Sequence, residues 1–202
     1  MIVETLGEFG LAGVFGLTLF ERVIPILPSY ALYAFVGLTA ASGAFPLVLA
    51  ILAAWAGSLL GMVPFYLLGR AIGPDRALGI VRRIAKWTGL GADRGERWFH
   101  KAEEHGVPIV GVGQLVPTVR LITPLFAGLL KLPFGPSARA LAAGSFAWIA
   151  FFTVGAWFLA LLRPDADPNW IAVVMTIALV VVEVVILGTI YLVRRRRRTV
   201  NP

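Results

Sequence analysis

The chain contains no cysteine, which excludes disulfides, thiolate metal centres and a cysteine nucleophile. Charge is scarce as well. Asp, Glu, Lys and Arg make up 14% of the residues, against about 25% in an ordinary soluble domain. Only two histidines occur, His100 and His105, and no spacing of histidines and carboxylates suits a metal ligand set. There is neither a Gly-rich phosphate loop nor a nucleophile elbow, so hydrolytic and nucleotide-driven chemistry find no motif here. The chain does not read as an enzyme, and no metal or cofactor is expected. Its first ten residues, "MIVETLGEFG", lack lysine and arginine. That is the wrong charge for the n-region of a cleaved signal peptide, and this end is expected to be retained.

What is present in abundance is apolar surface: 58% hydrophobic residues and a mean hydropathy of +0.84. These values indicate an all-α integral membrane protein, whose spans need roughly 20 mainly apolar residues to cross about 30 Å of hydrocarbon. One membrane domain over 1–202 is the economical reading. Clean spans are expected over 46–69, 136–162 and 169–193, and a shorter N-terminal helix over 5–20. Residues 21–44 and 107–133 are apolar but interrupted by prolines, glycines and charges. Proline removes a backbone donor inside a helix, so these two stretches are expected to be re-entrant hairpins or broken helices.

Basic residues set the orientation. Residues 70–105 hold eight (Arg70, Arg76, Arg82, Arg83, Lys86, Arg94, Arg97 and Lys101) and the tail over 194–202 begins with five arginines, whereas 163–168 has one. The positive-inside rule then makes the central segment and the C-terminus cytoplasmic, in a multi-pass protein of the inner (plasma) membrane. The two broken stretches would enter from opposite leaflets, as two opposed re-entrant hairpins of an inverted repeat.

Glu21 and Arg120 stand out within the broken stretches. An ionisable group at bilayer depth costs about 2.5–3.5 kcal/mol on insertion scales, so it faces a partner or a polar cavity, unless it reaches the interface. Two arrangements fit: the charges meet across the opposed hairpins, or each sits at its own interface, Glu21 beside Arg22. Pro25, Pro28, Pro117 and Pro124 would free backbone groups, with Ser29, Tyr30, Gln114, Thr118 and Thr123 as neutral donors nearby. The same prolines and hydroxyls also fit simple packing kinks and caps. In "GSLLG", Gly57 and Gly61 form a small-xxx-small pattern expected to pack against another helix. Glu183 lies in the last expected span and suits a protein interior or a contact within a homo-oligomer.

Between the spans, 70–105 mixes charges with Ile80, Ile84, Trp87, Leu90, Trp98 and Phe99. This pattern suits amphipathic helices on the cytoplasmic face, with arginines directed at anionic lipid. Positive-inside topology accounts for the net charge of +7, and nucleic acid is not expected as a partner.

Three stretches carry a family resemblance: "FERVIPILPSYAL" at 20–32, "GSLLGMVPFYLLGR" at 57–70 and "HGVPIVGVGQLVPTVRLITPLFAGLLKLPF" at 105–134. Together they resemble the DedA family, also described as SNARE-associated or VTT-domain membrane proteins. The third is the most specific, being similar to a pattern in which an arginine, a proline and a second arginine precede a Pro and an "AG" pair. The resemblance implies opposed hairpins, an inverted repeat and transport rather than covalent chemistry. It points to undecaprenyl phosphate recycling and proton-dependent homeostasis in bacterial members, and to phospholipid scrambling in eukaryotic ones. Glu21 matches the family's first acidic position, Arg120 its second arginine, and the four prolines its hairpin prolines. Gln114 stands where many members have the first arginine, and Tyr30 where a second acid commonly follows. Losing one cation and one anion keeps the balance but argues against strong proton coupling, and a hydrogen bond between Tyr30 and Gln114 is one replacement.

The expected function is therefore a flippase or scramblase of a phosphorylated lipid, undecaprenyl phosphate or a phospholipid, whose anionic headgroup meets Arg120. A proton- or ion-coupled carrier for a small solute and a non-transporting membrane scaffold are the alternatives.

Overall fold

The computed structural model describes residues 2–24, 29–87 and 105–163, with positions 170, 173, 174, 177 and 181. Pro25, Pro28, residues 88–104, Glu183, the tail over 194–202 and most of the 169–193 span lie outside the described residues, as does the side chain of Thr118. Every regular element among the described residues is helical. In chain order they are α1 (Ile2–Val23), α2 (Ser29–Ala41), α3 (Leu47–Trp87), α4 (105–113), α5 (Pro117–Arg120), α6 (Thr123–Leu129) and α7 (Phe134–Leu162).

Two glycines interrupt long helices. Gly10 (φ 57°, ψ −147°) breaks α1, and Gly73 (φ 75°, ψ 169°) breaks α3, both in backbone regions closed to residues with a Cβ. Pro74 then restarts the helix, since a proline in the first turn forfeits no hydrogen bond. The apolar part of α3, Leu47–Arg76, has 30 residues and takes in the break at Gly73, and α7 has 29. At 1.5 Å per residue each is roughly 44 Å long, ample for about 30 Å of hydrocarbon. Of the stretches expected to span, 136–162 lies within α7, and 46–69 lies within α3 from Leu47 on, with Pro46 just ahead of the helix. Residue 21, the expected start of the first broken stretch, lies inside α1, which runs on to Val23. Residues 107–133 come as the short pieces α4, α5 and α6, with turns at 114–115 and 121–122.

Polarity is inverted relative to a soluble protein. Val48, Leu60, Leu67, Phe151, Phe158 and Leu162 are exposed, whereas Glu21, Arg22, Ser58, Gln114, Arg120 and Thr123 are buried. Lipid accepts such an outer surface; water does not.

Glycines bring the helices together. At Gly57 a Cβ would collide with the Phe15 carbonyl and the Thr18 hydroxyl, and at Gly61 it would lie 2.6 Å from the Arg22 Cβ. The "GSLLG" stripe thus seats α1 on α3. Gly69 and Gly128 allow the same approach between α3 and α6, where added methyls would meet the carbonyls of Leu125 and Tyr66.

The interior has two apolar clusters. One gathers Tyr33, Val36, Ala54, Trp148, Ile149 and Phe152, the other Met62, Tyr66, Val110, Leu130 and Leu141. On α3, Ala54, Ser58 and Met62 follow at one-turn intervals, and on α7 Leu141, Ser145 and Ile149 do the same. Each helix therefore passes from one cluster to the other through a buried serine. A polar layer lies between the clusters.

Candidate functional site

The polar layer starts at the last turn of α1. Because Gly61 admits the Arg22 Cβ so closely, the guanidinium is carried across α3 into the interior instead of outward. Its Nε donates to Ser58 Oγ at 2.8 Å, Nη2 to Gln114 Oε1 at 3.0 Å and Nη1 to the Arg120 carbonyl at 3.4 Å. One side chain of the N-terminal half is thereby bonded to two residues of the C-terminal half.

Gln114 follows α4 directly. Its Nε2 donates to the Arg120 carbonyl at 3.1 Å and to Thr123 Oγ1, while the Thr123 hydroxyl donates to that same carbonyl at 3.0 Å. The carbonyl is open to these donors for a reason legible in the chain. In a continued helix it would receive the amide of residue 124, which is proline and has none.

The Arg120 side chain is in a different situation. It is fully buried (0% exposed), with Cζ 5.6 Å from the Tyr33 ring centroid and 5.0 Å from that of Trp148. Nη2 reaches Tyr33 Oη at 3.5 Å, whereas Nε and Nη1 have no hydrogen-bond partner among the described residues. Two aromatic faces stabilise a desolvated guanidinium by about 2 kcal/mol or more, but they leave its N–H groups unused. Glu21, 2% exposed, brings Oε2 to 3.9 Å from Arg22 Nε, and this oxygen too lacks a hydrogen bond. Among the described residues, two guanidiniums and one carboxylate therefore share the layer, one positive charge in excess.

Of the residues expected to form a site, the structure brings together Glu21, Gln114, Arg120 and Thr123. Both Glu21 and Arg120 are interior, and the carboxylate's ion pair is with Arg22. Pro117 opens α5 and the buried Pro124 lies in the first turn of α6. Ser29 opens α2 outside this network, and Tyr30 packs against Phe152 with ring centroids 6.3 Å apart. The Tyr30–Gln114 bond is thus replaced: Gln114 serves Arg22, Arg120 and Thr123, and the tyrosine hydroxyl that enters the site is that of Tyr33, one turn further on. Arg22, Tyr33, Ser58 and Trp148 were not foreseen as site residues. The readable signal for Ser58 is its place inside the glycine stripe; for Arg22 it is its place beside Glu21 at the end of an apolar stretch. Among the described residues no group of three or more His, Asp or Glu side chains is placed to hold a metal ion.

The VTT domain model matches residues 35–158. A Staphylococcus aureus protein named undecaprenyl phosphate transporter A is 29% identical over 135 residues, 65% of this chain and 65% of that protein; the chain thus spans just under two thirds of that relative. The uncharacterized membrane protein YbfM of Bacillus subtilis is 26% identical over 159 residues, 77% of this chain and 94% of the relative. An alkaline phosphatase-like protein of Lactococcus lactis is 28% identical over 161 residues, 77% of this chain and 74% of the other. No solved structure matches the chain.

Proposed function

The chain belongs to the VTT-domain, or DedA, family of membrane proteins, and on that premise we propose that it moves a phosphorylated lipid between the leaflets of a bacterial inner membrane. A polyprenyl phosphate such as undecaprenyl phosphate is the favoured cargo, supported by the name of the S. aureus relative; a phospholipid is the second. The headgroup passes between the two halves, with 21–44 and 107–133 acting as opposed re-entrant hairpins of an inverted repeat, while the hydrocarbon tail stays in lipid. The C-terminus is cytoplasmic in this reading.

One observation carries the proposal: a buried guanidinium, Arg120, with Nε and Nη1 unbonded, in a layer with one more cation than anion. An uncompensated buried charge costs several kcal/mol, and a phosphate headgroup supplies both the missing negative charge and acceptors for those N–H groups. Charge-assisted bonds of this kind are roughly twice as strong as neutral ones. Glu21 then acts as counter-charge to Arg22. It keeps the empty site from holding two unopposed cations, and it favours release by repelling the phosphate. Nothing in this cycle forms or breaks a covalent bond.

The test is translocation in liposomes carrying fluorescent polyprenyl phosphate or fluorescent phosphatidylglycerol, with and without a pH gradient. Wild type should move at least the first, and Arg120→Gln should fall to the rate of protein-free vesicles. Wild-type speed in Arg120→Gln would overturn the reading. Movement that requires the gradient would favour a coupled carrier.

A further inference from the structure

Trp148 belongs to α7 and lies outside every stretch that carried the family resemblance. It is 4% exposed, packs on Phe152 with ring centroids 4.7 Å apart, and holds its own centroid 5.0 Å from the Arg120 Cζ. Its indole Nε1 has no hydrogen-bond partner among the described residues. A buried indole N–H usually finds one, because leaving a donor unmade costs about 1–3 kcal/mol. Packing alone would be served as well by phenylalanine, which has no donor to strand. Around Arg120 and Trp148 the groups without a partner among the described residues include three donors, Nε and Nη1 of Arg120 and Nε1 of Trp148, while Glu21 Oε2 is an unbonded acceptor of the same layer.

We propose that Trp148 is a substrate-binding residue that gives the site a preference for phosphate monoesters, its indole N–H bonding an oxygen that Arg120 leaves free. The assignment rests on the phosphate reading above. Arg120 Cζ is 5.0 Å from the centre of the indole ring, and two hydrogen bonds of about 2.9 Å each in series bridge roughly 6 Å, so the proposed anion would sit at the edge of the ring, between the guanidinium and the indole N–H. The preference follows from counting oxygens. A guanidinium commonly engages two phosphate oxygens at once, and in a diester these are the only two terminal oxygens. A monoester has a third, and the indole N–H is the donor that takes it.

The test is isothermal titration of the full-length protein in detergent with farnesyl phosphate, a monoester, dilauroylphosphatidylglycerol, a diester, farnesol and inorganic phosphate. Trp148→Phe keeps an aromatic face on Arg120 and deletes the N–H. It should weaken farnesyl phosphate about tenfold, the effect of one charge-assisted bond, while leaving the diester unchanged. Replacement of Trp148 by benzothienylalanine, which swaps the N–H for sulfur at nearly constant shape, should do the same, and it secures the result should Trp148→Phe fold poorly. Equal weakening of monoester, diester and farnesol, or no weakening at all, would overturn the role of Trp148. In the second case, loss of farnesyl phosphate binding in Arg120→Gln would leave the phosphate reading standing. If wild type binds neither phospholipid nor farnesyl phosphate, both readings fall. Inorganic phosphate should bind far more weakly than farnesyl phosphate; equal affinity would contradict a lipid cargo.

Discussion

The end of α1 and the end of α5 each deliver an arginine to the same polar layer, equally hidden, yet the two side chains are in opposite states. Arg22 is bonded through all three nitrogens, to Ser58, Gln114 and the Arg120 carbonyl. Arg120 lies between two rings with two nitrogens unbonded. Burial alone does not distinguish a structural cation from a binding one. The difference lies in whether the protein has already used the donors: Arg22 is bonded to residues of both halves, and in the proposed function Arg120 is the cation left for a headgroup.

Stability measurements can break this contrast. Arg22→Gln should cost about 3 kcal/mol, because it strands the Ser58 hydroxyl and the Gln114 carbonyl; for a chain of this size that lowers the detergent melting temperature by roughly 6–12 °C. Arg120→Gln should stay within about 1 kcal/mol of wild type while losing lipid binding, since its side chain makes one long hydrogen bond and its uncompensated charge is removed. If Arg120→Gln proves the more destabilising of the two, the division of labour is wrong.

A smaller effect sharpens the same point. Gln114→Arg replaces the acceptor of Arg22 Nη2 with another cation and should destabilise by about 2 kcal/mol. Adding Arg22→Gln should recover at least half of that loss, because contacting residues are non-additive. Additive melting temperatures across this cycle would show that the contact between Arg22 and Gln114 does not govern position 114. The smallest expected change is Ser58→Ala. It deletes one buried hydrogen bond to Arg22 and should lower stability by about 1 kcal/mol, read from the same melts.

Much of this was legible before any coordinates. The long apolar helices, the breaks around Pro117 and Pro124 and the packing of Gly57 and Gly61 follow from local rules about proline, glycine and hydrophobic length. The site was legible in part. Glu21, Gln114, Arg120 and Thr123 could be named because polar groups in apolar stretches are costly. Arg22 could not be separated from an interfacial partner of Glu21, since its burial depends on how closely α1 seats on Gly61, a tertiary fact. Tyr30 and Tyr33 are three residues apart on one helix, and only the packing of α2 on α7 decides that the second faces Arg120. Trp148 is one of six tryptophans in an apolar chain, where an aromatic residue carries no signal of its own. In both charged segments a proline follows four residues after the key side chain, Pro25 after Glu21 and Pro124 after Arg120. That pattern was available in the sequence and points to open carbonyls.

The Arg120 carbonyl accepts hydrogen bonds from Arg22, Gln114 and Thr123, which belong to three separate stretches of chain. Its peptide is ordered before any headgroup arrives. In the proposed function, loading the site would withdraw freedom from one side chain already flanked by rings, a cost of about 0.5–1.5 kcal/mol, whereas ordering a loop would cost about 1–2 kcal/mol for every residue. On that reading, selectivity does not require a large ordering step, and a headgroup taken up with so little rearrangement would need as little to leave on the far side.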